Sequence, residues 1–133
     1  MNVQSHDIAD KQRILIVDDE PQVLKVMKRM LEFSGYTVTA MDDSVEALQT
    51  FGEAPDSFNA VFTDMCMPQM NGDVLSSRMK EIRPDIPIIM CTGYSELFSE
   101  DKAREAGLAG YLQKPIYHKQ MVETLRQVLN YPK

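Results

Sequence analysis

The chain has 133 residues, 44% of them hydrophobic, and 14 Lys plus Arg against 20 Asp plus Glu give a formal charge of −6. That length suits one compact core, and the acidic balance works against nonspecific nucleic-acid binding, which needs a positive field. The longest apolar run, Ile86 to Cys91, is interrupted by Pro87 and is too short to span a bilayer, so no membrane contact by this chain is expected. The polar lead-in Met1 to Gln12 lacks the apolar stretch of a signal peptide. Cys66 and Cys91 form neither a CxxC pair nor a disulfide framework, which fits a reducing, cytoplasmic setting.

From residue 13 onward two kinds of segment alternate. Arg13-Ile14-Leu15-Ile16-Val17 is a β-branched run that breaks off at Asp18-Asp19-Glu20-Pro21. Unbroken apolar runs of this length suit strands buried on both faces. Val23, Met27, Met30 and Leu31 then share one helical face, stopped by Ser34-Gly35. Thr37–Met41 reads as a second strand. Val45, Leu48 and Phe51 line a second helix with Asp43 or Ser44 as its N-cap. Ala60–Thr63 is a third strand, followed by a helix lined by Leu75, Met79 and Ile82 that ends before Pro84.

Ile86–Cys91 supplies the fourth strand. Ser95–Ala106 is a poorly patterned helix, expected to be the least firmly anchored. Gly110–Leu112 is a weak fifth strand, and Met121, Leu125, Val128 and Leu129 define the last helix. The order βαβαβαβαβα predicts a doubly wound parallel five-stranded sheet with helices on both faces. Residues 1–12 read as a flexible flank or linker, 13–130 as the domain, and 131–133 as a tail.

In such a sheet ligands bind at the carboxyl ends of the strands. The first strand ends in Asp18-Asp19, the third in Asp64, the fourth in Thr92-Gly93, and the fifth runs into Lys114-Pro115. Three neighbouring carboxylates repel one another unless a cation compensates, and an all-oxygen set suits Mg²⁺. A metal site with an adjacent Lys and Thr is an arrangement for phosphoryl transfer, with a carboxylate oxygen as nucleophile. No Walker A or kinase glycine loop is present to hold a nucleotide.

Ile14-Leu15-Ile16-Val17-Asp18-Asp19-Glu20-Pro21, Asp64-Met65-Cys66-Met67-Pro68 with Gly72, Thr92-Gly93, and Tyr111-Leu112-Gln113-Lys114-Pro115 together resemble the receiver domain of two-component response regulators. The likeness runs from about Arg13 to Asn130 and implies a flavodoxin-like (βα)5 fold. It implies Asp64 as phosphoacceptor. Mg²⁺ would be bound by Asp19, Asp64 and the Cys66 backbone carbonyl, with Asp18 acting through water. Lys114 would pair with Asp64 and then with the phosphoryl group. Thr92 and Tyr111 would be the switch hydroxyl and aromatic, and the Lys114-Pro115 bond would be cis. Cys66 and Tyr94 fall where the family tunes water access to the acyl phosphate, so the bulky Tyr94 suggests slow self-dephosphorylation.

The implied phosphodonor is a sensor histidine kinase or a histidine phosphotransfer domain. A homodimer through the fourth-helix and fifth-strand face is a further expectation. The chain reads as a stand-alone regulator, as the receiver of a hybrid histidine kinase, or as a receiver cut from a larger regulator; the linker-like Met1–Gln12 leans toward a piece of a longer protein. It is not expected to be a classical enzyme, although it catalyses its own phosphorylation and dephosphorylation. The rival readings are a non-phosphorylated pseudo-receiver and a metal-dependent phosphatase with an aspartate nucleophile. The pseudo-receiver is opposed by the full acidic set, and the phosphatase by the lack of a DxD at Asp64-Met65-Cys66. Lys25, Lys28 and Arg29 beside the first helix's apolar stripe form either a docking face for an acidic bundle or a solvated surface. Cys91 reads as a small buried hydrophobe, and the Met residues near Cys66 as packing rather than soft-metal ligands.

Overall fold

The computed structural model describes residues 12–93 and 98–130. Five parallel strands, β1 (Arg13–Val17), β2 (Thr37–Met41), β3 (Ala60–Asp64), β4 (Ile88–Thr92) and β5 (Gly110–Gln113), stand in the order β2-β1-β3-β4-β5. The helices are α1 (Pro21–Phe33), α2 (Ser44–Glu53), α3 (Gly72–Ile82), α4 (Glu100–Glu105) and α5 (His118–Asn130), with a 3-10 turn at Pro55–Ser57.

Alternation along β1 explains why its run is apolar throughout. Ile14 and Ile16 face one way and pack with Leu24, Met27 and Leu31 of α1 and Met121, Val122 and Leu125 of α5. Leu15 and Val17 face the other way, against Ala47 and Phe51 of α2 and Leu75 and Met79 of α3. Both faces are covered from Ile14 to Val17, so after the exposed Arg13 no position on this strand is free to be polar until the chain leaves the sheet at Asp18. Each large buried side chain of this kind contributes roughly 1.5–3 kcal/mol relative to exposure.

The helix faces differ in detail from the sequence reading. In α2 the sheet is met by Ser44, Ala47 and Phe51, while Val45 is exposed. In α3 Gly72, Leu75, Ser76 and Met79 are buried and Ile82 is largely exposed. Small residues let a helix approach the layer beneath it, so the buried stripe rotates toward them. The fourth strand begins two residues later than its apolar run, because Pro87 has no N–H to donate to the ladder; its carbonyl instead accepts from Val61.

The fourth helix is also shorter than the expected Ser95–Ala106. It spans the six residues Glu100–Glu105, started by the Ser99 side chain, which accepts from the Lys102 N–H. Residues 95–97 of that expectation lie outside the described residues, as do the 1–11 part of the flank and the 131–133 tail. The apolar support beneath α4 is a small cluster of Met90, Phe98 and Ala103, with Met65, Leu108 and Tyr111 packed against it.

Arg83, just past α3, ties a distant loop to the sheet's lower edge. Its Nη1 donates to the Pro55 carbonyl at 3.0 Å and the Phe58 carbonyl at 2.6 Å, and its Nε donates to Asp85 at 2.9 Å. Replacing it with methionine keeps the aliphatic stem but leaves two carbonyls without that partner. An Arg83→Met protein is expected to lose about 1–3 kcal/mol in urea unfolding with no change in slope.

Candidate functional site

Parallel strands deliver their carboxyl ends to one edge, and there the structure gathers residues that are 96 positions apart. Asp18 leaves β1 fully buried, Asp19 follows half-buried, and Asp64 closes β3 buried. One oxygen from each of Asp18, Asp19 and Asp64 lies within 4.8 Å of the others. That spacing and all-carboxylate chemistry fit a hard divalent cation.

Lys114 comes in from just beyond β5. Its Nζ donates to Asp18 Oδ2 at 2.9 Å, lies 3.1 Å from Asp64 Oδ1, and reaches 3.6 Å to Glu20 at the rim. Its backbone N–H donates to the Thr92 carbonyl at 2.7 Å, and the Lys114-Pro115 bond is cis. Burial alone would lower the Lys114 ammonium, but the hydrogen bond and charge of Asp18, with Asp64 adding to them, hold it well above the usual lysine range. Burial pushes Asp18 up from the usual carboxylate range, against the opposing pull of the Glu20 N–H and Lys114.

The loop after β3 is pinned to the sheet. The Met65 N–H donates to the Cys91 carbonyl at 3.0 Å and lies 3.0 Å from Asp64 Oδ1. Gly72 begins α3 by donating from its N–H to the Met65 carbonyl at 2.7 Å, and a side chain there would run into the Asp64 carbonyl. Only glycine permits that approach. Cys66 is exposed in this loop, whereas Cys91 is buried in β4, where burial pushes its thiol up.

Thr92 and Tyr111 are together but turned to each other. The Thr92 hydroxyl, fully buried at the end of β4, donates to the Tyr111 hydroxyl at 2.9 Å, which donates onward to the Phe98 carbonyl at 3.0 Å. Phe98 was not picked out by the sequence reading, and a backbone acceptor leaves no signature in a sequence. Glu20 was legible only as the third acid of Asp18-Asp19-Glu20, and its reach to Lys114 is a fact of the fold. Tyr94 lies outside the described residues.

With this geometry in view, the comparisons with known proteins agree. Residues 14–126 match the model of the response regulator receiver domain, and the chain belongs to that family. It is similar to the sensor kinase CckA of Brucella abortus (33% identical over 124 residues, 92% of this chain and 13% of that protein). It is also similar to the response regulator MprA of Mycobacterium ulcerans (32% over 117 residues, 88% of this chain and 50% of that protein). The chain therefore spans only part of the length of these relatives.

Among solved structures, a receiver domain protein from Clostridium thermocellum superposes with a TM-score of 0.85 at 32% identity, covering 90% of this chain and 94% of that one. A CheY-like receiver from Methanospirillum hungatei gives 0.82 at 33%, covering 91% and 95%. The fold is thus the flavodoxin-like receiver fold, and the chain is a receiver domain of two-component systems, a class that takes phosphoryl groups from histidine kinases. No helix among the described residues is long and apolar enough to cross a membrane.

Two outcomes follow from the site geometry. Gly72→Ala is expected to cost about 1–3 kcal/mol in denaturant unfolding, as the new methyl forces α3 and the Asp64 loop apart. The Lys114 contribution has a defined pH window. Its folded pKa is raised, so its stabilisation is complete below the ordinary lysine value of about 10.4 and is lost as pH rises beyond that. Lys114→Met should therefore be less stable than the parent at neutral pH by about 1–3 kcal/mol, less than a fully buried pair because the lysine keeps some solvent. Chemical denaturation from neutral to strongly alkaline pH should show that gap closing above the lysine range.

Proposed function

We propose that this receiver domain accepts a phosphoryl group on Asp64, and that Asp19, Asp64 and the Cys66 backbone carbonyl would hold Mg²⁺, with Asp18 acting through water. The observation that carries this reading is the Lys114 ammonium set between Asp18 and Asp64 with Asp19 completing a three-carboxylate cluster. Mg²⁺, when bound, supplies neutralisation of the charge that gathers on the transferring oxygens.

The chain's own residues account for the rest. An Asp64 carboxylate oxygen attacks phosphorus and forms the new O–P bond. The P–N bond to the donor imidazole breaks, and the imidazole leaves with the electron pair and takes up a proton. Lys114 sits 3.1 Å from Asp64 Oδ1 and would follow that carboxylate onto a phosphoryl oxygen. The phosphorylated aspartate then presents new acceptor oxygens to the end of β4.

Thr92 has a single hydroxyl hydrogen, committed to Tyr111 in this structure. Donation to a phosphoryl oxygen takes that hydrogen away from Tyr111, whose own hydrogen still reaches the Phe98 carbonyl. The exchange biases the packing of Tyr111 against the small cluster under α4, which is the two-state element phosphorylation would act on. The donor is a phospho-histidine on a sensor kinase or phosphotransfer domain, in the same polypeptide or a separate one. The α4–β5 face, with β5 at the sheet edge, is the surface for the output partner or a second copy, and the cytoplasm is the compartment that fits these roles.

Incubation with acetyl phosphate and Mg²⁺ is expected to add one phosphoryl group by intact-mass spectrometry, with none on Asp64→Ala and none in EDTA. No metal-dependent gain from acetyl phosphate or from a phosphorylated histidine kinase would overturn the reading in favour of a non-phosphorylated interaction module. Mg²⁺ at a hundredfold its Kd should also stabilise the protein by about 2.7 kcal/mol, an effect that Asp19→Asn should largely remove.

A further inference from the structure

Glu20 stands at the exposed rim of the site, where its carboxylate caps nothing and reaches only Lys114 among the ion pairs of the described residues. It is the N-cap of α1, yet its side chain makes no capping hydrogen bond; its backbone does the local work, the N–H donating to Asp18 Oδ1 at 2.9 Å and the carbonyl accepting from Leu24 at 3.0 Å. The side chain is 63% exposed, and its Oε1 lies 3.6 Å from Lys114 Nζ. It is not one of the three carboxylates close enough together to share a cation. Its charge therefore adds to a pocket in which Asp18, Asp19 and Asp64 already outnumber Lys114.

We infer that Glu20 is a charge gate: a specificity-determining residue that slows phosphoryl transfer to Asp64 from small anionic donors and so favours a protein donor. The inference rests on the proposed phosphoacceptor role of Asp64. A small phosphodonor whose negative oxygens approach Lys114 and Asp64 meets the exposed Glu20 charge 3.6 Å from that ammonium, and it has few other contacts to offset the repulsion. A phosphorylated protein has remote surface with which to bind, and that binding energy can be spent on bringing the phosphoryl group past the rim. Glu20 also competes for Lys114, the one cation of the described residues seen between Asp18 and Asp64. With acetyl phosphate the step is a simple exchange. The Asp64 oxygen–phosphorus bond forms, the bond from phosphorus to the acetyl oxygen breaks, and acetate departs with the electron pair.

The test compares initial rates of Asp64 phosphorylation in the parent, Glu20→Gln and Glu20→Asp, at saturating Mg²⁺, with acetyl phosphate (a dianion near neutral pH) and phosphoramidate (less negative). In low salt, about 0.02 M, Glu20→Gln should react with acetyl phosphate roughly two- to fivefold faster, and the gain should be smaller with phosphoramidate. At about 0.5 M salt the difference should fade, because the rim is exposed and screened. Glu20→Asp, which keeps the charge, should stay near the parent rate. An unchanged or slower Glu20→Gln alongside a parent that is phosphorylated overturns the gate alone. An equal gain with both donors at all salt concentrations also overturns it, since that outcome reports geometry rather than charge. A parent that takes no phosphoryl group from either small donor or from a phosphorylated histidine kinase overturns the function beneath it.

Discussion

The site depends on a charge imbalance held in one place by the sheet. Asp18 and Asp64 are buried, and Lys114 spans them at 2.9 and 3.1 Å. An ion pair this close offsets part of the cost of taking carboxylates out of water, and truncating one partner leaves the others uncompensated. Among the described residues Lys114 lies against Asp18, Asp64 and Glu20, with Asp19 beside them, so carboxylates outnumber the ammonium there. Such an excess of carboxylates is the chemistry that suits a hard divalent cation.

That imbalance can be sustained because the rest of the fold is strongly supported. The two faces of β1 and β3 are each packed by a pair of helices, α1 with α5 and α2 with α3, and the strands beneath the carboxylates are buried from Ile14 to Val17 and from Ala60 to Asp64. The loops that carry the charged groups are fixed by backbone hydrogen bonds, Met65 to Cys91 and Lys114 to Thr92. These join β3 to β4 and β4 to the residue after β5, so displacement at one strand end is passed directly to the next.

Support is unequal around the sheet, and the inequality has a direction. The fourth helix is six residues long, and its one buried residue, Ala103, clusters with the buried Met90 and Phe98. Tyr111 packs there, and its hydroxyl joins Thr92 to the Phe98 carbonyl. The packing is therefore heavy on both faces of β1 and β3 and thin beneath α4.

The sequence by itself determined the fold class and which charged and polar residues stand at the strand ends. Apolar runs that stop at Asp18, Asp64 and Thr92 mark strands buried on both faces and put their polar ends at one edge, because side-chain alternation and parallel crossovers leave few other arrangements. It did not determine which face of α2 or α3 is buried, since Ser44, Ala47 and Gly72 win those positions by their small size against a neighbouring layer. Nor did it show that the Thr92 hydroxyl is turned to Tyr111, that the Phe98 carbonyl completes the chain of hydrogen bonds, or that Glu20 reaches Lys114. Those contacts join residues far apart in sequence, some through backbone atoms that every residue carries. Only the packed tertiary structure fixes them, because hydrogen-bond direction and charge proximity are set by distances of a few ångströms that no one-dimensional pattern encodes.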